Sequence, residues 1–374
     1  MARSERRRDP GELLERLRGI VRASGWLGGE PPPPLPPELA ARAMLEGLGP
    51  LLGARICAGV LATERAEDAQ RLAAQHLIVS GLETQQHQVL ERIAVPLAGR
   101  GIPFVLLKGI ALRGRVHPPG TRSMTDLDLL VPRERFDEAL VAGQEAGFEL
   151  KGDARRALTV SRYHERVLTL DGALVDLHAG LSAWPLFSVP HAELFARSQP
   201  DAGGCGGLQL PAEELFVSLA LHATQHGFMV PLRSTVDALA TISRLAPDPV
   251  GVVKIARRWG VATGTALLLA WLERLGFAAT AWSEARRQLS PGRLVDRFAE
   301  ELPFDDEAAG WRRGLRIERR RRARLLDSRA RAMLFAAYRG TLLVGDLALR
   351  LTPQAWRERL QGTAETACRA ARET

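Results

Sequence analysis

The sequence predicts an α+β protein, a small mixed β-sheet core flanked by N-terminal and C-terminal helical domains. Three observations lead there. Thr125–Val131 and Ala173–Ala179 alternate strictly, with Leu127, Leu129 and Val131, then Val175, Leu177 and Ala179, on one face; this is the period-2 pattern of a half-buried strand. Stretches rich in Ala, Leu and Arg lie on either side with apolar residues at helical spacing, and these are good helix formers. Between the two alternating segments come a helix pattern and a hairpin signal, an order that suits a mixed sheet better than a doubly wound parallel one.

In chain order, residues 1–94 read as an N-terminal helical region. Leu13 to Val21 has the spacing of a short amphipathic helix, and the charged start before it has no apolar h-region, so no secretory signal is predicted. The proline-rich segment at residues 28–37 reads as a stiff connector whose Pro37 opens the next helix; the other reading is a polyproline ligand. From Glu38 to about Ala98 the pattern is helical, with Leu72, Leu77, Leu82, Leu90 and Ile93 forming a layer against the sheet. His76 and His87 read as packing or surface residues.

The core is assigned to residues 95–210. Gly101–Leu107 is the first strand, Gly109 lets the backbone turn tightly, and Ala111 to Val116 begin a helix. Pro132 starts a helix over Arg133 to Ala146, with Phe136 and Leu140 inward and Gly147 as its stop. Strands follow near Phe148–Leu150 and Arg166–Leu170, then a hairpin turn at Asp171-Gly172. Asp201–Gly207 reads as a flexible link. Residues 211–302 form a helical domain opened by Pro211 with Glu213 and Glu214 in its first turn, with Trp259, Trp271 and Trp282 in its core.

Asp126 and Asp128 share the polar face of the first alternating strand, about 7 Å apart along it. Asp176 and His178 share the polar face of the second. If the two strands are neighbours, three carboxylates converge, and each like-charge contact at about 4 Å costs roughly 4 kcal/mol near a surface. Such a trio needs protonation or a divalent metal, and all-oxygen ligation suits Mg²⁺ bound through carboxylates plus phosphates. His178 has three chemical roles open to it beside a structural one: metal ligand, proton shuttle, or hydrogen-bonding partner of the carboxylates, the last preferred. Lys108 is one of only three lysines and stands between an apolar strand and a glycine; it reads as a phosphate contact or as a snorkelling structural residue. His222 and His226 have a zinc-compatible spacing, yet no Glu lies between them and no third ligand follows. No Walker-type phosphate loop is present.

The succession Leu106-Leu-Lys-Gly-Ile-Ala-Leu112, Arg122-Ser-Met-Thr-Asp-Leu-Asp-Leu-Leu-Val131 and Val175-Asp-Leu-His178 resembles a bacterial family of uncharacterised nucleotidyltransferases of the polymerase β-type superfamily, over about Leu82 to Leu239. The resemblance implies transfer of a nucleoside monophosphate from an NTP, ATP among them, to a hydroxyl acceptor, with pyrophosphate leaving. It implies that Asp126 and Asp128 bridge two Mg²⁺ ions, Mn²⁺ being the alternative, and that Asp176 completes the acceptor-side metal. Lys108, Gly109, Arg122 and Ser123 would hold the triphosphate, while His178, His222, His226 and Asp237 would support the carboxylates or touch the acceptor. Ile110 departs from the Gly or Ser expected after the turn glycine. A small-molecule or peptide-derived acceptor is favoured. The alternatives are a catalytically weak nucleotide-sensing scaffold, and an RNA- or protein-modifying transferase that uses a basic C-terminal region.

That region, residues 303–374, carries the arginine run Trp311–Arg324 and a more apolar helix over Ala332–Leu351. A solvated helix face is the preferred reading over a surface for RNA, phospholipid or an acidic protein, since few aromatic residues are there to stack on bases. The net charge of +8 is almost all arginine, a compositional habit more than a sign of a nucleic-acid partner. The most apolar run, Ala262 to Trp282, is interrupted by Glu273 and Arg274, so no membrane span is predicted. Cys57, Cys205 and Cys368 are odd in number and scattered, which fits a reducing cytoplasm without a zinc site.

Overall fold

The computed structural model describes residues 10–28, 32–151, 165–182, 186–289, 293–301, 325–327, 330 and 333. The arginine run, most of the helix expected after it, and Cys368 lie outside the described residues. Four helices open the chain: α1 (Pro10–Ser24), α2 (Pro37–Leu45), α3 (Gly49–Cys57) and α4 (Ala66–Gly99). Pro37 occupies the first turn of α2, where its missing N–H is no loss. Along α4, Leu72, Val89, Leu90 and Ile93 are buried while Leu77 and Leu82 are exposed. The inward stripe is therefore narrower than the sequence spacing predicts: Val79 and Glu83 are buried in the same stretch, so Leu77 and Leu82 lie on the outer face of the helix.

The sheet is assembled from β1 (Val105–Leu107), β2 (Asp126–Leu130), β3 (Glu149–Lys151), β4 (Glu165–Leu170), β5 (Ala173–His178), β6 (Gln199–Pro200) and β7 (Leu208–Gln209). Its order is β3-β4-β5-β2-β1-β7-β6. β2 runs parallel to β5 and β1 parallel to β7, and the remaining pairs are antiparallel. The sheet is thus mixed, as the sequence predicts. Asp171 and Gly172 both take left-handed φ, +52° and +81°, which a two-residue hairpin loop requires.

Two local expectations give way. The helix after β1, α5, spans Lys108–Leu112 and stops there; Gly114 turns the chain at φ +72° and Arg113 bridges to His117, so no helix runs on to Val116. Asp201–Gly207, read as a flexible link, is the tip of the β6–β7 hairpin, where Asp201 accepts hydrogen bonds from Gln209 Nε2 and Cys205 Sγ. Glycine-rich composition hid two short strands.

After β2 comes α6 (Phe136–Glu145), and α7 (His191–Arg197) precedes β6. The C-terminal half is helical: α8 (Ala212–Gln225), α9 (Leu232–Leu245), α10 (Pro249–Trp259), α11 (Ala262–Arg274), α12 (Thr280–Leu289) and α13 (Arg293–Glu301). Trp259, Trp271 and Trp282 are buried among them. No helix among the described residues is long and apolar enough to cross a membrane. Central strand β2 is covered on both faces, since Leu127 and Leu129 are buried and so is Asp128, at 2% exposure. A carboxylate that deep needs partners.

Candidate active site

The register of β2 against β5 sets Asp128 beside Asp176, and Asp126 beside Leu174. Side-chain alternation then places Asp126, Asp128, Asp176 and His178 on one face. Asp128 Oδ1 accepts a hydrogen bond from Lys108 Nζ at 2.5 Å and another from His178 Nε2 at 2.9 Å. The other ring nitrogen of His178, Nδ1, lies 3.7 Å from Glu165 Oε2, because β4 pairs Glu165 directly with His178.

Charge is divided unevenly across this face. Burial alone would raise the Asp128 pKa, but the hydrogen bond from His178 and the charge of Lys108 outweigh it and hold the group down at about 2. Asp176 goes the other way: burial, then the charges of Asp126 and Asp128, push it up to about 6. Burial opposes the Lys108 ammonium, yet Asp128, followed by Asp126 and Glu165, holds its pKa above the ordinary lysine value. One carboxylate is satisfied and its neighbour is not.

Lys108 itself sits at φ +47°, a left-handed conformation that costs a side-chain-bearing residue roughly 1–2 kcal/mol. The sharp turn after β1 is therefore made at Lys108, whereas Gly109 is needed for space: a Cβ there would lie 2.7 Å from Cγ and Sδ of Met124. Ile110 is buried in the apolar core, so the position where a Gly or Ser was expected offers no hydroxyl.

Arg122, Ser123 and Asp237 form a second cluster, beside the Gly109 turn. Asp237, on α9, accepts from Arg122 Nη2 at 2.8 Å and Nε at 3.0 Å and from His117 Nε2 at 2.8 Å. All three residues are buried. Burial would raise the Asp237 pKa, but Arg122 and His117 hold it well below the usual carboxylate range. Ser123 Oγ accepts from Arg233 Nη1 at 2.8 Å, and burial, with Arg122 nearby, lowers the Arg233 pKa to about 10. Arg233 was invisible in the sequence, one arginine among many.

Beside the acid face opens a cleft of about 190 Å³ whose lining includes Lys108, Glu165, His178, His222, Gln225 and His226. α8 thus brings its histidine pair to the site, with ring centroids 4.7 Å apart. Burial, then the charge of Lys108, pushes the His222 pKa down to about 3, so its ring is neutral at ordinary pH. Glu165 is notable in the sequence but carries no usable spacing signal there; its position one strand away from His178 follows only from the β4–β5 register.

Asp128, Asp176 and His178 are the residues, among those described, whose ligand atoms could hold a metal ion, all lying within 4.8 Å of one another. His222 and His226 are not in that group. Two carboxylates and an imidazole, with Asp176 carrying negative charge that its surroundings do not neutralise, fit a divalent cation.

A family model described as an uncharacterised nucleotidyltransferase matches residues 33–276. Among solved structures, the chain is similar to one reported as the solution structure of the antibiotic-resistance factor ANT(2'')-Ia, which reveals substrate-regulated conformation dynamics. The identity is 15% and the TM-score 0.35, and the match covers 47% of this chain and 93% of that one. A search of curated proteins found no match.

Proposed function

The chain belongs to the uncharacterised nucleotidyltransferase family, and from that premise we propose that it transfers a nucleoside monophosphate from an NTP to a hydroxyl of a small-molecule or peptide-derived acceptor, with pyrophosphate leaving. The observation that carries this reading is the side-by-side placement of Asp128 and Asp176 on the face that also bears Asp126. These three carboxylates would hold Mg²⁺, two ions in all, with Mn²⁺ as the alternative; bound there, the cations would neutralise the triphosphate and acidify the attacking hydroxyl.

The remaining roles fall to the chain's own groups. Lys108 Nζ is the cation that balances Asp128, and it stays protonated, so it is placed to exchange that carboxylate for a phosphate oxygen. Asp176, on the strand beside Asp128, is the carboxylate placed to help take the hydroxyl proton. Arg122 is held on Asp237, so its contribution to triphosphate binding would be to fix the loop that leads into β2. His222 and His226 would meet the acceptor from α8. Ile110 supports a second reading, a nucleotide-sensing protein that binds NTP and turns it over weakly.

The test is to incubate the protein with Mg²⁺ and each α-labelled NTP in the presence of a metabolite fraction, and to follow label into new small molecules. Labelled product with the native chain and none with Asp128→Asn is the expected result. NTP binding without product in any fraction would favour the sensing reading.

A further inference from the structure

We propose that His178 is a direct ligand of the bound cation, with Glu165 as the carboxylate that orients its ring, and that the site therefore takes a nitrogen-accepting first-row transition dication in preference to Mg²⁺, Mn²⁺ serving as its probe. This rests on the nucleotidyltransferase reading and changes its ligand set, which three carboxylates alone would otherwise supply.

The geometry comes from three strands. His178 ends β5 two residues beyond Asp176, is buried, and presents Nε2 to Asp128 Oδ1 at 2.9 Å. Its donor atom closes a triangle with Asp128 and Asp176 inside 4.8 Å, a group that does not include Asp126. His178 lies between two carboxylates and borders the open cleft. Nε2 faces the acids, and Nδ1 faces Glu165 Oε2 at 3.7 Å across the β4–β5 pair. That order, carboxylate then imidazole then ligand face, is the one in which metal-bound histidines are oriented and made more basic.

Ligation replaces the Nε2–H···Oδ1 hydrogen bond to Asp128. In the coordinated ring the Nε2 lone pair turns to the cation and the single ring proton of the neutral imidazole sits on Nδ1, toward Glu165. The metal preference follows from ligand type. Mg²⁺ favours oxygen ligands and keeps several waters, whereas an imidazole nitrogen gains affinity along the first-row transition series.

The experiment uses the full chain with Mn²⁺ as the probe. Pulsed electron paramagnetic resonance of the Mn²⁺-loaded protein should show nitrogen-14 modulation from one directly bound imidazole, and His178→Ala should lose it. By calorimetry, Mn²⁺ affinity should fall about 10- to 100-fold in Glu165→Gln, the loss expected for an outer partner, and by a larger factor in His178→Ala, which removes the ligand itself; Mg²⁺ affinity should change less. The native spectrum decides the question even if the alanine variant fails to fold. Mn²⁺ bound without nitrogen modulation overturns the histidine ligand and leaves the transferase reading standing. Modulation that survives in folded His178→Ala also overturns it and points to His222 or His226. Failure of the native chain to bind either ion overturns both.

Discussion

Asp128 and Asp237 are each about 2% exposed or less, each accepts a hydrogen bond from a histidine Nε2, and each pairs with a basic side chain. Around Asp237 both oxygens are engaged: Arg122 grips the two of them and His117 adds a further donor. Around Asp128 the arrangement stays open. Lys108 and His178 share a single oxygen, Asp176 stands on the next strand with a raised pKa, and a cleft borders the group. A buried charge with every partner in place fixes a loop. A buried charge beside an under-neutralised twin is a place where a ligand has something to complete.

That contrast is best broken from its strong side first. Asp128→Asn should lower nucleotide transfer by roughly 10³-fold, equivalent to about 4 kcal/mol of transition-state stabilisation, while the thermal midpoint falls less than in Asp237→Asn, because the lost pairing with Lys108 and His178 is partly offset by relief of repulsion with Asp176. Asp237→Asn should do the reverse. It leaves the Arg122 guanidinium buried without its counter-ion, a loss of about 3–5 kcal/mol, read as a lower urea midpoint. Equal stability losses in the two variants would erase the distinction between the clusters.

A pH series sharpens the comparison further. Asp176 titrates at about 6 in the folded metal-free chain against an ordinary 3.8, so the folded state holds that proton more tightly. Its contribution to stability is complete below the ordinary value and is lost as pH rises through about 6. Asp128, held at about 2, acts oppositely: its contribution is present above 3.8 and lost as pH falls toward 2. Thermal midpoints in chelator should therefore show a decline between pH 4 and 6 that Asp176→Asn removes; an unchanged slope in the variant would contradict the assignment. Smallest of all, Arg135→Ala breaks an exposed pair with Glu138 and should leave the thermal midpoint nearly unchanged, since water screens such a pair, a baseline for the rest.

The parts legible in the sequence are those with short-range causes. Period-2 alternation located β2 and β5 and put their acids on one face, and turn chemistry located the Asp171-Gly172 hairpin. What alternation does not contain is register: nothing local says that Asp128 meets Asp176, or that Glu165 faces His178 from β4. Arg122 looked like a phosphate contact because its partner, Asp237, is more than a hundred residues away in the chain. The turn after β1 was assigned to the glycine, as composition suggests, yet the left-handed residue is Lys108, and Gly109 is there to admit Met124. The β6–β7 hairpin escaped because its strands are two residues each.

The most direct measurement of the central claim is thermal stability during NTP titration with and without Mg²⁺, in the native chain and in Asp128→Asn. The account predicts Mg²⁺-dependent stabilisation by at least one NTP, about 2.7 kcal/mol at a hundredfold excess over Kd, and its loss in the variant. No response to any NTP, or the same response in Asp128→Asn, would contradict it.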